Sequence, residues 1–446
     1  MASVKYSIVI PVWNGEKFII DALDAVFRNS GGETVEVICV NNASEDASAE
    51  LIATRFPQVK LLNQSVNLGF AGGVNVGIRQ ASGSIIVLLN QDTIAQPGWL
   101  QALSTELADP TVGIVGCKTL YPDGRLQHAG GTIDVRGAST HIGNGEPDTG
   151  QYDQPRDVDF VTGAALALTA ETLNTIGLLD EGFTPAYYED VDWCYRAKSA
   201  GLRVRYTPNA TLIHAESTST ENIPLAKKTM THAGRLRFLL KHRSLTALQT
   251  EFLPAEQKWL SRLGHSLEMM AVREAYLMHL LSLSEMVAWR AQNGLISAGG
   301  TIQSEWQGLL QLLTTLRQTC VQSEAQSIAG DDAPVNFLTP GSNHHWQELQ
   351  DFWQLKEYSF RSSVPGLAFL RTLWYNIAAR WADLWLMNQQ TKVNWAVKNL
   401  LSVMAQETGP TTDQTIREIN RLAQRVVELE QQIKVLQENL QKHEDK

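Results

Sequence analysis

The sequence predicts an α/β domain, then an all-helical domain, then a C-terminal coiled coil. Three observations predict it: short Val- and Ile-rich runs alternating with helical periods up to about residue 222, loss of that strand signal afterwards, and a heptad repeat in the last segment.

"YSIVIPV" (6–12), "VEVICVN" (35–41), "VKLLNQ" (59–64) and "SIIVLLN" (84–90) read as strands. They are largely apolar, as strands covered on both faces should be. Amphipathic stretches of helical length lie between them, near 16–29, 46–56 and 71–82. Strand–helix alternation with short connections is the signature of a parallel α/β sheet. Ligands of such sheets sit beyond the carboxyl ends of the strands. That rule draws attention to Asn41–Asn42 and to Asn90–Asp92, where two strands end.

From residue 223 to 407 helix formers dominate, and nine of the twelve tryptophans fall here. A "TGPTTD" breaker precedes 411–446, where Ile419, Leu422, Val426, Leu429, Ile433, Leu436 and Leu440 recur at spacings of three and four. Mostly β-branched residues at one seam position with Leu at the other favour a parallel two-stranded coil, hence a homo-oligomer. A single amphipathic helix packed on the helical domain is the alternative.

A charged fraction of 19% and a hydrophobic fraction of 43% describe a folded globular chain. The formal net charge of -10 argues against nucleic acid as a partner. Four scattered cysteines without a CxxC pair read as reduced core thiols. No charged leader opens the chain, and no run of 18 apolar residues appears, so a cytoplasmic location is expected, free or at the inner membrane surface.

The first strand runs into "PVWNGE" and the second into "VNNASED". Capping of the following helices explains Ser44 and Asp46 as well as function does. For Asn41 and Asn42 the amide side chains suit hydrogen bonding to a base or ribose. The glycines of "NLGFAGGVNVG" (67–77) allow either close backbone approach to a phosphate or tight helix packing. Asp92, at the tip of a buried strand, is placed to hold Mg²⁺ or Mn²⁺, cations that take oxygen ligands and keep substrate phosphates in their shell; an N-cap is its other reading. Glu189, Asp190 and Asp192 fall within four residues in "YYEDVDWCYRAKSAGLRV", where packed like charges point to a cation or a substrate. On a helix, Glu189 and Asp192 would share a face and Asp190 would point away. A solvated helix start, which welcomes acids near its positive end, is the alternative account. His214 ends the apolar run of "ATLIHAEST"; alone, it reads first as a structural histidine.

These stretches, with "DGRLQHAGG" and "VTGAALAL", come in an order that resembles the family 2 inverting glycosyltransferases, rhamnosyltransferase-like branch. The match covers about residues 4–220 and rests on eight motifs in order. The resemblance implies a GT-A, Rossmann-like mixed sheet flanked by helices. It implies that Asp92 binds the metal bridging a nucleotide-sugar diphosphate, with His214 as a second ligand. Asp190 stands at the general-base position, with Glu189 orienting the base or the acceptor. The nucleotide and substrate contacts it implies are Pro11, Trp13, Asn14, Asn41, Asn42, Ser44, Asn67, Gly69, Gly72, Asn90, Gln91, Gly163 and Asp192. The donor named first is dTDP-rhamnose, with UDP- and GDP-sugars open, and the acceptor is a hydroxyl of a glycan or lipid-linked molecule in surface polysaccharide synthesis. Asn41 departs from the aspartate common at its position, and the metal motif carries one carboxylate where many relatives have two or three. A sugar-nucleotide-binding scaffold is the alternative function. A nucleotidyltransferase has a similar sheet, but its N-terminal glycine-rich loop is absent after "SIVIPV".

The Trp-rich stretch 369–401 spaces Trp374, Ala378, Trp381 and Trp385 at helical intervals beside Arg371, Arg380, Lys392 and Lys398. It reads as a core helix or as a helix lying in a membrane interface.

Overall fold

The computed structural model describes residues 4–215 and 224–329, except 265, 297 and 298. Beyond 329, the remainder of the expected helical domain, the Trp-rich stretch and the 411–446 heptad lie outside the described residues.

Strand β1 (Tyr6–Val12) is an interior strand, third from one end of the sheet. Helix α1 (Ile19–Arg28) leads to β2 (Val35–Asn41), α2 (Ser48–Arg55) to β3 (Lys60–Asn63), and α3 (Gly69–Ile78) to β4 (Ile85–Leu89). These four strands are parallel neighbours in the order β4-β1-β2-β3. The register sets Val12 opposite Asn41 and Val9 opposite Leu88, so the three chain ends Trp13, Asn42 and Asn90 emerge at one edge. The expected β1, β2 and β4 are therefore present within a residue of their sequence limits.

The second half adds β5 (Thr93–Ala95), α4 (Trp99–Leu107), β6 (Val112–Leu120), β7 (Leu126–His128), β8 (Gly131–Ile133), β9 (Ser139–His141), β10 (Arg156–Asp157) and β11 (Ala165–Thr169). Then come α5 (Ala170–Ile176), α6 (Glu189–Ser199) and β12 (Arg203–His214). Strand β11 runs antiparallel between β4 and β6, and β12 runs parallel to β6. The sheet is thus mixed rather than all-parallel and is flanked by helices. Strands β8 and β9 form a separate hairpin.

Alternation along the strands feeds two cores. Ile8, Ile10, Val87 and Leu89 pack with Leu23 of α1 and Leu103 of α4 on one face. Val9, Ile86, Leu88 and Leu166 pack with Val74 of α3 and Trp193 of α6 on the other. Each such side chain, fully buried, contributes about 1.5–3 kcal/mol of transfer free energy. Helix α3 lies close because Gly77 has no side chain: a Cβ there would strike Val9 and Val40.

After residue 223 come α7 (Pro224–His242), α8 (Leu245–Ala247), a π-helical turn (Leu248–Phe252), α9 (Leu253–Leu260), α10 (Leu267–Leu281), α11 (Leu283–Gln292) and α12 (Ile302–Ala329). Their apolar faces continue the α3–α6 core, from Leu236 and Phe238 to Leu316. All four cysteines are buried and form no disulfide. Among the described residues, no helix is long and apolar enough to cross a membrane.

Candidate functional site

The parallel register brings three loops to the carboxyl edge, and side chains staple them together. Gln91 accepts from the Trp13 N–H and donates to the Trp13 carbonyl, both at 3.0 Å, tying the end of β4 to the end of β1. Gly15 is required beside it, since a Cβ there would run into the Gln91 amide. Ser44 Oγ accepts from Asn14 N–H at 3.1 Å, and Asn14 Oδ1 accepts from Glu45 N–H at 2.9 Å. Asn14 adopts φ 48°, in the left-handed region an Asn tolerates. Asp46 accepts from the N–H of Glu16 and of Ser48, both at 3.0 Å, so it serves the helix start and the neighbouring loop together.

The two asparagines differ. Asn42 uses both amide hydrogens, on Asn67 Oδ1 at 2.9 Å and on the Gly69 carbonyl at 3.0 Å, and accepts from Leu68 N–H at 2.9 Å. Asn41 donates once, to Asn63 Oδ1 at 2.9 Å, and accepts from Ser44 N–H at 3.0 Å. Asn42 is a clamp between β2 and α3, whereas Asn41 makes only these two side-chain bonds among the described residues and so retains a hydrogen and a lone pair. Pro11, within β1, lies at the same seam, where the missing side chain of Gly73 makes room for it and Asn42; Gly72, in the first turns of α3, faces Leu68 instead.

Asp92 does not cap a helix. A three-residue strand, β5, follows it, and α4 starts only at Trp99 with Gly98 as its N-cap. Because β5 pairs antiparallel with the end of β12, Thr93 faces His214. His214 Nε2 thereby lies 3.3 Å from Asp92 Oδ1 and 3.4 Å from Asn90 Nδ2. Gln127 Oε1 accepts from His214 Nδ1 at 2.7 Å, so in the neutral ring Nε2 is the lone-pair nitrogen and faces the carboxylate. A lone pair turned on a carboxylate oxygen, with a second shell orienting the ring, suits a bound cation. Asn90 Oδ1 is buried there without a partner among the described residues. Among the described residues no group of three or more His, Cys, Asp and Glu could hold a metal, so a cation here would complete its shell with oxygens of a ligand or water.

A short backbone path leads from this pair to the acidic helix. Asn90 N–H donates to the Ala164 carbonyl at 2.9 Å, and the adjacent Gly163 N–H donates to Asp190 Oδ2 at 2.8 Å. Asp190 Oδ1 accepts from Val191 N–H at 2.8 Å. Burial raises the Asp190 pKa, and those N–H groups with His141 oppose the rise. Burial and the Asp190 charge push Glu189 well above the usual carboxylate range, and its Oε2 has no partner among the described residues.

Asp192 is placed elsewhere. It is 0% exposed and accepts from Arg196 Nε at 2.9 Å, from Lys241 Nζ at 2.5 Å and from His242 Nε2 at 2.8 Å. Burial alone would raise its pKa, but His242, Lys241 and Arg196 hold it well below the carboxylate range. It locks α6 to α7 and is not part of the edge cluster. Two of its partners, Lys241 and His242, stand 49 and 50 residues downstream, where no sequence signal marks them. Gln127 was within reach of the sequence, standing in the quoted "DGRLQHAGG" without an assigned role.

Residues 7–165 match the family model described as Glycosyl transferase family 2. The O-antigen biosynthesis protein RfbC of Myxococcus xanthus is 30% identical over 241 residues, 52% of this chain and 19% of that protein. The N-acetylglucosaminyl-diphospho-decaprenol L-rhamnosyltransferase of Mycobacterium tuberculosis is 27% identical over 235 residues, 47% of this chain and 76% of that enzyme. The chain thus spans about a fifth of the length of the first relative. A crystal structure of GalNAc-T7 with UDP, GalNAc and Mn²⁺ matches at TM-score 0.46 and 16% identity, covering 66% of this chain and 58% of the other.

Proposed function

The chain belongs to glycosyl transferase family 2 through its N-terminal domain, and from that premise we propose that it transfers a sugar from a nucleotide-sugar to an acceptor hydroxyl, with inversion, on a GT-A fold. The acceptor class is a glycan or a lipid-linked precursor of a surface polysaccharide, as the names of the relatives suggest. The observation that carries the reading is the approach of His214 Nε2 to Asp92 Oδ1 at the same edge that presents Asp190.

Asp92 and His214 are the residues that would hold a divalent cation, Mg²⁺ or Mn²⁺. When bound, such a cation neutralises charge on the leaving diphosphate. Trp13, 42% exposed at the edge, and Asn41 are offered to the nucleotide. Asp190 takes the proton of the attacking hydroxyl, whose pKa lies far above neutrality. Attack from the face opposite the leaving group inverts the anomeric carbon in one displacement, with no covalent sugar–enzyme intermediate. The donor proposed first is dTDP-rhamnose, from the rhamnosyltransferase relative. The heptad over 411–446 is proposed as a self-association segment.

Isothermal titration of the full chain with dTDP-, UDP- and GDP-sugars, each with and without Mn²⁺, tests the reading. Metal-dependent binding of one nucleotide class is expected. Binding of none by a folded sample would reject the transferase reading and the sugar-nucleotide-binding scaffold alike.

A further inference from the structure

Two adjacent peptide groups connect the proposed base to a histidine that has had no role so far. Gly163 N–H donates to Asp190 Oδ2 at 2.8 Å, and Thr162 N–H, one residue earlier, donates to His128 Nε2 at 3.3 Å. That bond makes Nε2 the acceptor nitrogen of His128 and Nδ1 its protonated one. His128 Nδ1 then donates to His141 Nδ1 at 2.8 Å, and both rings pack on Phe160 with centroids 5.6 and 5.3 Å away. His128 is 0% exposed. The hairpin that carries His141 is fastened to the residue preceding the acids, for Tyr188 Oη donates to the Gly137 carbonyl at 2.9 Å and accepts from Ser139 N–H at 3.1 Å.

We propose that His128 is a positioning residue for Asp190, acting through the Thr162–Gly163 backbone. Its imidazole fixes the Val161–Thr162 peptide and, through Thr162, the next peptide, whose Gly163 N–H meets the carboxylate, and His141 fixes its tautomer. The proposal rests on the reading of Asp190 as the base. An N–H aimed at a carboxylate favours the ionised form, so loosening this loop should make the base harder to ionise. The titratable groups around Asp190 are Glu189 and Cys194 on its own helix and His141 from β9. Around His128 they are His141 and Arg156, and burial keeps the ring neutral.

The test is a titration of the full chain labelled with carboxyl-¹³C aspartate, followed by NMR, with the Asp190 signal identified by its loss in Asp190→Asn. In His128→Phe, which fills the site without bonding Thr162, the midpoint should rise by about one unit. Turnover, with the donor found by calorimetry, should fall about tenfold at unchanged donor affinity. His128→Gln, which keeps an acceptor and a donor, should restore both. If the Phe variant does not fold, His128→Asn, too short to reach Thr162, is read in the same way. A midpoint equal to that of the parent in the folded Phe or Asn variant overturns the proposal. Turnover surviving in Asp190→Asn would instead overturn the assignment of the base.

Discussion

His214 Nε2 lies 3.3 Å from Asp92 Oδ1, although His214 ends β12 and Asp92 stands far earlier in the chain, in the turn between β4 and β5. The approach follows from the sheet: β5 begins one residue after Asp92 and pairs antiparallel with the last residues of β12. Asp92→Ala should therefore weaken nucleotide-sugar binding tenfold or more when Mn²⁺ is present, and far less when it is absent. Titration calorimetry with and without the cation measures the difference. An unchanged metal dependence would remove Asp92 from the cation site.

Asp190 must be ionised to accept a proton, and burial raises its pKa. The acid limb of kcat should accordingly lie above the ordinary aspartate range, with turnover lost as the pH falls through it. Asp190→Asn should lower kcat by about 10²–10⁴ while donor affinity stays near that of the parent. A pH–rate profile with calorimetry on the variant checks both.

What the sequence made legible follows how local each signal is. The β1, β2 and β4 runs are apolar because they are buried on both faces, and their parallel order sends Trp13, Asn42 and Asn90 to one edge. Asp92 and His214 could each be singled out, but their pairing depends on β5, a three-residue strand that reads as a connection. Asp192 was grouped with its neighbours because charge clusters are read along the chain. The helix turns it toward α7 instead, and Lys241 and His242, which neutralise it, lie on a helix whose own pattern is unremarkable. The mixed strand order also depends on β11 inserting antiparallel between β4 and β6, which no local pattern announces.

The heptad of Ile419, Val426, Ile433 and Leu440 with Leu422, Leu429 and Leu436 is a claim about self-association. Residues 411–446 carry the repeat after a Gly-Pro breaker, so removing them should leave the preceding domains folded. Light scattering on the truncated chain should give a lower oligomer mass with an unchanged circular dichroism signal per domain residue. An unchanged mass would assign the seam to packing within the chain.

Asp192 supplies the sharpest stability test. Its carboxylate meets Arg196, Lys241 and His242 in a pocket where it is 0% exposed. Replacing it with Asn keeps the volume and removes the charge, leaving Lys241, itself 3% exposed, with Asp180 at 2.8 Å as its one carboxylate partner among the described residues. Breaking such a buried pair costs about 3–5 kcal/mol, so Asp192→Asn should lower the unfolding midpoint in calorimetry while leaving the geometry around Asp92 and His214 in place. The pH dependence has a definite sign. The folded pKa of Asp192 is depressed, so its contribution is fully present above the ordinary carboxylate range and lost as the pH falls toward the depressed value. The parent should therefore lose stability on acidification more steeply than Asp192→Asn, and the gap between them should close at low pH. A gap independent of pH would mean that Asp192 acts by shape and not by charge.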